Sequence, residues 1–349
     1  MPAWLGGMGG LAPATRPAVM RGVMRGVMRG VMIIGAMTPS PALSGAVRLA
    51  DWGLIRAQGT DATAFLQGQL TQDVASLGTH QARLAGYCSA KGRLIASFVV
   101  WRVDSETIFL ACSADLLTST LKRLSMFVLR AKCKLADVSA DTALYGLAGA
   151  AAAAGLGAAA PAAPWGVAPT GPQAEGQAIR LPDALGQPRY LLAQPALATA
   201  PALPALAPEA WAWLEVHSGV ARIVAATTEQ FVPQMVNWEV VGGVNFQKGC
   251  YPGQEVVARS QYRSTLKRRT MLFHSAAALA AGQPVFHSAD PGQPAGQVVL
   301  AAPQPGAGHS ALVEVKLAAL AAGSLHAGAA DGALLQRQAL PYDFPADQG

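Results

Sequence analysis

A chain of 349 residues can bury a substantial core and has room for two or three domains. Apolar residues make up 52%, much of it alanine, and no stretch reaches the roughly 18–20 uninterrupted apolar residues of a membrane span, so the chain reads as soluble. Arg16, Arg21, Arg25 and Arg29, in a first 45 residues without Asp or Glu, carry most of the net charge of +6; the rest makes no case for a polyanion-binding surface.

Those first 45 residues stand apart. Val19 to Gly30 is three copies of Val-Met-Arg-Gly, followed by an apolar run from Val31 to Met37. Glycine at every fourth position costs a helix roughly 1 kcal/mol per site. A signal peptide is one reading, with Ser44-Gly45-Ala46 as its small residues, but the apolar run is short. The segment reads instead as a disordered low-complexity extension, with Met37 as an alternative start.

From Val47 onward strands alternate with helices. Asp61 to Leu70 is expected as a short helix, capped by Thr60 or Asp61, with Phe65, Leu66 and Leu70 inward. Ala82 to Cys88 and Leu94 to Val103 read as strands joined by a turn at Lys91-Gly92, and Thr107 to Cys112 as a third. Leu117, Leu121, Leu124 and Val128 recur at helical spacing, and Lys132 to Val138 alternates like a half-buried strand. Gly149 to Pro164 is nearly pure Ala, Gly and Pro. It reads as a small-residue helix and loop within a second lobe rather than as a mobile linker. From Thr270 short apolar strands separated by Gly282-Gln283-Pro284, Asp290-Pro291-Gly292 and Gly306-Ala307-Gly308 predict a small β-barrel or sandwich. The fold class is thus α+β: an extension over 1–45, two lobes over about 46–140 and 141–269, and a carboxy-terminal barrel over 270–349.

Cys88, Cys112, Cys133 and Cys250 form no Cys-x-x-Cys pair, so no metal site is expected from this chain alone. Isolated thiols suit a reducing compartment, and a cytoplasmic location is expected. The most informative stretch is Asn245 to Glu255. Pro252-Gly253 is a type II turn signal, and Gly249 permits an unusual backbone angle just before Cys250. Between these corners the thiol is either presented, with Lys248, Arg259 and Arg263 raising its thiolate fraction, or buried and inert. The residues alone leave that open.

Lys248-Gly249-Cys250-Tyr251-Pro252-Gly253-Gln254-Glu255 resembles the hallmark Lys-Gly-Cys-Tyr-x-Gly-Gln-Glu of the YgfZ family, and the continuation to Arg259 is similar too. Phe65-Leu66-Gln67-Gly68-Gln69-Leu70-Thr71-Gln72-Asp73-Val74 is similar to the family's first-helix motif. The resemblance runs from about Val47 to the end. It implies a ring of three lobes related to the glycine-cleavage T-protein, with tetrahydrofolate or another reduced folate in a central hole. It also implies folate contacts from Trp52 and Trp211, and a role in supporting iron–sulfur enzymes or their assembly factors, with tRNA modification downstream. Cys250, with Lys248 beside it, is then the expected working group.

Two departures from the T-protein pattern matter. Ala90 to Ser97 has no carboxylate where the transferases carry an aspartate essential for aminomethyl transfer. His217-Ser218-Gly219 stands where they carry Glu-Ala-Gly, which makes His217 the expected pterin contact and Glu215 the alternative carboxylate. The leading expectation is a folate-binding accessory protein; the alternative is a folate-dependent one-carbon (aminomethyl) transferase using Cys250 or His217. Lys248, Arg259, Arg263, Lys267, Arg268 and Arg269 could form an RNA-binding face, but such a cluster is more often a solvated one, and direct RNA binding is not expected.

Overall fold

The computed structural model describes residues 43–262 and 266–345. The extension through residue 42, with Met37, and also Arg263 lie outside the described residues. β1 (Gly45–Arg48) and β2 (Trp52–Gln58) come first, then α1 (Ala62–Gln67), β3 (Ala82–Cys88), β4 (Leu94–Arg102), β5 (Thr107–Ser113), α2 (Ala114–Ser125) and β6 (Lys134–Asp137). Strands β2 to β6 form an antiparallel sheet in the order β3-β4-β5-β2-β6. β4 is buried from Leu94 to Trp101, because both faces of the sheet are covered and its strands read as unbroken apolar runs. Phe98 and Val100 join the core beneath Leu66 and Leu117, whereas Val99 and Trp101 pack against Ile179 and Leu191 of the second lobe. The helical period read as far as Val128 overshoots: α2 stops at Ser125, and Leu129 takes a left-handed φ of 45°.

The second sheet contains β7 (Thr142–Ala148), β8 (Val167–Thr170), β9 (Gly176–Ala184) and β10 (Gln187–Pro195), with α3 (Gly149–Leu156) after β7 and α4 (Pro208–His217) after β10. Its order is β1-β7-β10-β9-β8. β1 therefore pairs with β7 and not with the lobe that follows it in sequence. Val47 and Leu49 place their side chains in the core between the sheets, and Ala46 N–H donates to Pro204 O at 2.9 Å. The alanine-rich stretch forms α3, where Ala152 is fully buried near Leu147 and Tyr190. A methyl group at that position lets the helix pack directly on the sheet.

α5 (Gln254–Tyr262) precedes a closed barrel of β11 (Arg268–Ser275), β12 (Pro284–His287), β13 (Asp290–Pro303), β14 (His309–Lys316), β15 (Leu325–Ala327) and β16 (Ala333–Gln338). Closure leaves no strand edge unpaired. Asp290-Pro291-Gly292, read as a separator, instead opens β13. His287 pairs with Asp290, so the hairpin turns at Ser288-Ala289. Among the described residues no helix is long and apolar enough to cross a membrane.

Candidate functional site

The two segments singled out by sequence, 65–74 and 245–255, are bonded to each other. Thr71 Oγ1 donates to Gly243 O at 2.6 Å and accepts from Gly86 N–H at 2.8 Å, while Asn245 N–H donates to Thr71 O at 2.9 Å. Lys248 Nζ donates to Leu70 O at 2.6 Å and also to Gln67 O. The ammonium thus caps the carbonyl end of α1, where the orphan carbonyls of a helix need donors. Burial pulls the Lys248 pKa down to about 8, against the opposing pull of Asp73 and Cys250, and its Nζ lies 5.1 Å from the centre of the Tyr251 ring.

The loop carrying Cys250 is rigid at both ends. Asn245 Oδ1 accepts from the N–H groups of Gln247 (2.8 Å) and Lys248 (3.0 Å), an Asx turn. Gly253 takes φ 80°, and a Cβ there would meet Ser89 O at 2.3 Å. Glycine is required on both counts. Between these points Cys250 is exposed while Tyr251 turns inward and is buried. Of the cations expected to activate the thiol, Lys248 is bonded to carbonyls while still sensing the charge of Cys250, and Arg259 lies 3.3 Å from Glu255. Arg268 pairs with Glu314 and Arg269 with Glu239, which disperses the basic cluster. Burial pushes the Cys88 and Cys112 thiols up to about 12, so these two are inert. Among the described residues no three His, Cys, Asp or Glu side chains gather where they could hold a metal ion.

A separate cleft opens between the two sheets and α4, walled by Trp52, Phe98, Trp165 and Leu181. Its cavity volume is about 40 Å³, inside about 440 Å³ of empty space that runs out to solvent. A volume of about 40 Å³ takes a few water molecules. At the cleft floor Arg222 bridges two carboxylates. It donates to both oxygens of Glu215 (2.7 and 3.1 Å) and to Asp51 Oδ2 (2.7 Å), with Ser113 Oγ accepting a fourth bond at 3.1 Å. Burial works against the Arg222 charge, but Glu215 and then Asp51 outweigh it, and the net pKa direction is up. The same guanidinium lies 4.9 Å from the centre of the Trp52 ring.

α4 sorts the remaining expected residues by face. Successive helical residues turn by about 100°, so Trp211 and Glu215 share one face while Trp213 and His217 share the other. Glu215 lines the cleft. Trp211 lies behind it, 3% exposed, beneath the Arg189 guanidinium at 4.7 Å. His217 faces the barrel: its Nε2 is 3.0 Å from Ser310 Oγ, its ring packs edge-on against Trp213, and burial lowers its pKa to about 4. The geometry therefore puts Trp52 and Glu215 on the cleft and leaves His217 and Cys250 off its walls.

A family model described as the GCVT N-terminal domain matches residues 45–166. The tRNA-modifying protein YgfZ of Edwardsiella ictaluri (strain 93-146) is 38% identical over 248 residues, 66% of this chain and 73% of that protein. The protein of the same name from Yersinia pseudotuberculosis serotype O:1b (strain IP 31758) is 31% identical over 67% of this chain and 73% of its own length. The chain belongs to the YgfZ family. Its fold matches the crystal structure of glycine cleavage system aminomethyltransferase T from Bartonella henselae with a TM-score of 0.65 at 17% identity, covering 86% of this chain and 87% of that one. That likeness is one of fold. Within this YgfZ-type chain, sequence reasoning missed Arg189 and Arg222. Arg189 had a signal: on β10 it occupies the same face as Leu191 and Ala193, an inward position where a charge is out of pattern.

Proposed function

We propose that this chain binds tetrahydrofolate or another reduced folate in the Trp52 cleft. In this reading it serves as an accessory protein for iron–sulfur cluster assembly or repair, and through cluster enzymes for tRNA modification. The observation that carries the reading is an aromatic cleft whose buried donors, Trp52 Nε1 and Arg189 Nε, have no hydrogen-bond partner among the described residues. Buried polar groups are almost always paired, so unfilled donors argue for a guest. Trp52 offers a flat face to a pterin or aminobenzoyl ring. Bound tetrahydrofolate supplies a nitrogen that carries one-carbon units. Lys248 fixes the loop so that Cys250 stays exposed, where an iron–sulfur enzyme or assembly factor can reach the thiol for exchange. The relatives' shared name supports the link to tRNA modification. Aminomethyl transfer gains no support at the cleft, where β4 offers Ser97, Phe98 and Val99, none of them a carboxylate, and Ser97 Oγ accepts from Ile223 N–H at 2.8 Å.

The test is an anaerobic titration with tetrahydrofolate followed by tryptophan fluorescence. Wild type is expected to give a saturable change, and Trp52→Ala to bind about tenfold or more weakly, the worth of a lost stacking face. A flat titration in wild type overturns the folate reading. In cells whose own copy is replaced, Cys250→Ala is expected to lower the activity of cluster-dependent enzymes while folate binding stays intact. Normal cluster-enzyme activity in those cells would remove the thiol from the mechanism.

A further inference from the structure

The polar groups around the cleft are unbalanced. Each oxygen of Glu215 accepts a bond from Arg222. Ser97 Oγ accepts from Ile223 N–H, and Ser218 Oγ donates to Glu215 O. On the donor side, Trp52 Nε1 is unpartnered, and so is Nε of Arg189, a side chain 3% exposed that lines the same cleft. Among the described residues the Arg189 guanidinium makes one hydrogen bond, to Pro182 O at the long distance of 3.5 Å. Among the described residues no carboxylate lies within ion-pair distance of it; the negative charges of Glu215 and Asp183 act from farther away, and burial pulls its pKa down to about 10. Its position is nevertheless fixed, because the guanidinium rests on the Trp211 ring at 4.7 Å and that ring in turn fills the space above Gly146. A buried cation held in place without a direct ion pair is costly unless a guest completes it.

We infer that Arg189, positioned by Trp211, is the receptor for the acceptor edge of the cleft's ligand: a ring carbonyl or ionised oxygen of a flat heterocycle, with Trp52 Nε1 as a second donor on the same wall. The inference rests on the folate reading and deepens it. With each Glu215 oxygen already accepting from Arg222 while Arg189 Nε has no partner among the described residues, the wall favours the 4-oxo side of a pterin over its 2-amino side. Trp211 is then a positioning residue that never touches the ligand. The wall consequently discriminates against any pteridine that places a donor where the oxo group belongs, since two donors facing each other leave both unpaired.

The decisive comparison uses wild-type protein with tetrahydrofolate and its 4-amino-4-deoxy counterpart, by anaerobic fluorescence titration and calorimetry. The oxo compound is expected to bind at least about tenfold more tightly, the worth of one hydrogen bond to a charged group. Arg189→Met is expected to erase that preference and, without ligand, to melt at a higher temperature than wild type, because an uncompensated buried charge has been replaced by an apolar chain of similar length. Arg189→Lys keeps the charge but not the fork and is expected to restore part of the preference. If wild type binds neither compound, the folate reading falls and takes this inference with it. If wild type binds both equally, or Arg189→Met keeps the full preference, the inference alone falls.

Discussion

Arg222 shows how a single side chain can hold a cleft floor together. It joins Glu215 on α4 to Asp51 ahead of β2, and it is 8% exposed. Arg222→Ala leaves Glu215 buried without a partner, which costs about 3–5 kcal/mol; urea denaturation at pH 7 reads this directly. Asp51 is 63% exposed at its side chain, so Asp51→Asn costs no more than about 1 kcal/mol in the same assay. His217 carries a pH signature. Burial holds its pKa near 4 against 6.5 in an ordinary setting. Between those values the unfolded chain binds the extra proton, so stability rises with pH across the window and is lost as pH falls from 6.5 to 4. Denaturant titrations at pH 7 and pH 4.5 are expected to show His217→Gln losing less stability between the two than wild type.

At the scale of elements, the Cys250 loop and α1 work as one piece. Thr71→Val keeps the shape but strands Gly86 N–H and Gly243 O in the core, where each lost partner costs about 1–3 kcal/mol. A fall of that size in unfolding free energy, with faster amide exchange at both segments, is the expected result. Gly253→Ala forces a Cβ into Ser89 O at a positive φ, and the loop is expected to shift, which thiol-labelling kinetics at Cys250 would report. Much of this region was legible in advance. β3, β4 and β5 announce themselves through apolar runs bounded by turn residues, and the octapeptide marks the loop. What local sequence does not encode is the partner of a side chain. Lys248 reads as a charge beside a thiol, yet its ammonium ends on carbonyls some 180 positions away. His217 occupies the expected place in the chain, but the helical turn aims it at the barrel and hands the cleft to Glu215. Both outcomes depend on long-range packing that spacing alone cannot supply.

Across the whole molecule the lobes and the barrel share cores. Leu272, Val299, Leu300 and Leu312 of the barrel belong to the cluster that holds Phe65, Leu66 and Val216, and the sheets share the cluster containing Trp101, Ile179 and Leu191. Urea unfolding monitored by tryptophan emission and by far-ultraviolet circular dichroism is expected to give coincident single transitions; separated midpoints would mean that one lobe melts alone. β1 adds a topological consequence. The described residues start in the second sheet with β1, leave to build the first, and return ninety-odd residues later with β7. A cut near residue 140 therefore yields no self-sufficient halves: the later piece has a bare edge along β7 and lacks Val47 and Leu49, while the earlier one trails an orphan strand. The two halves are complementary rather than independent, and reconstitution would require them to be produced together.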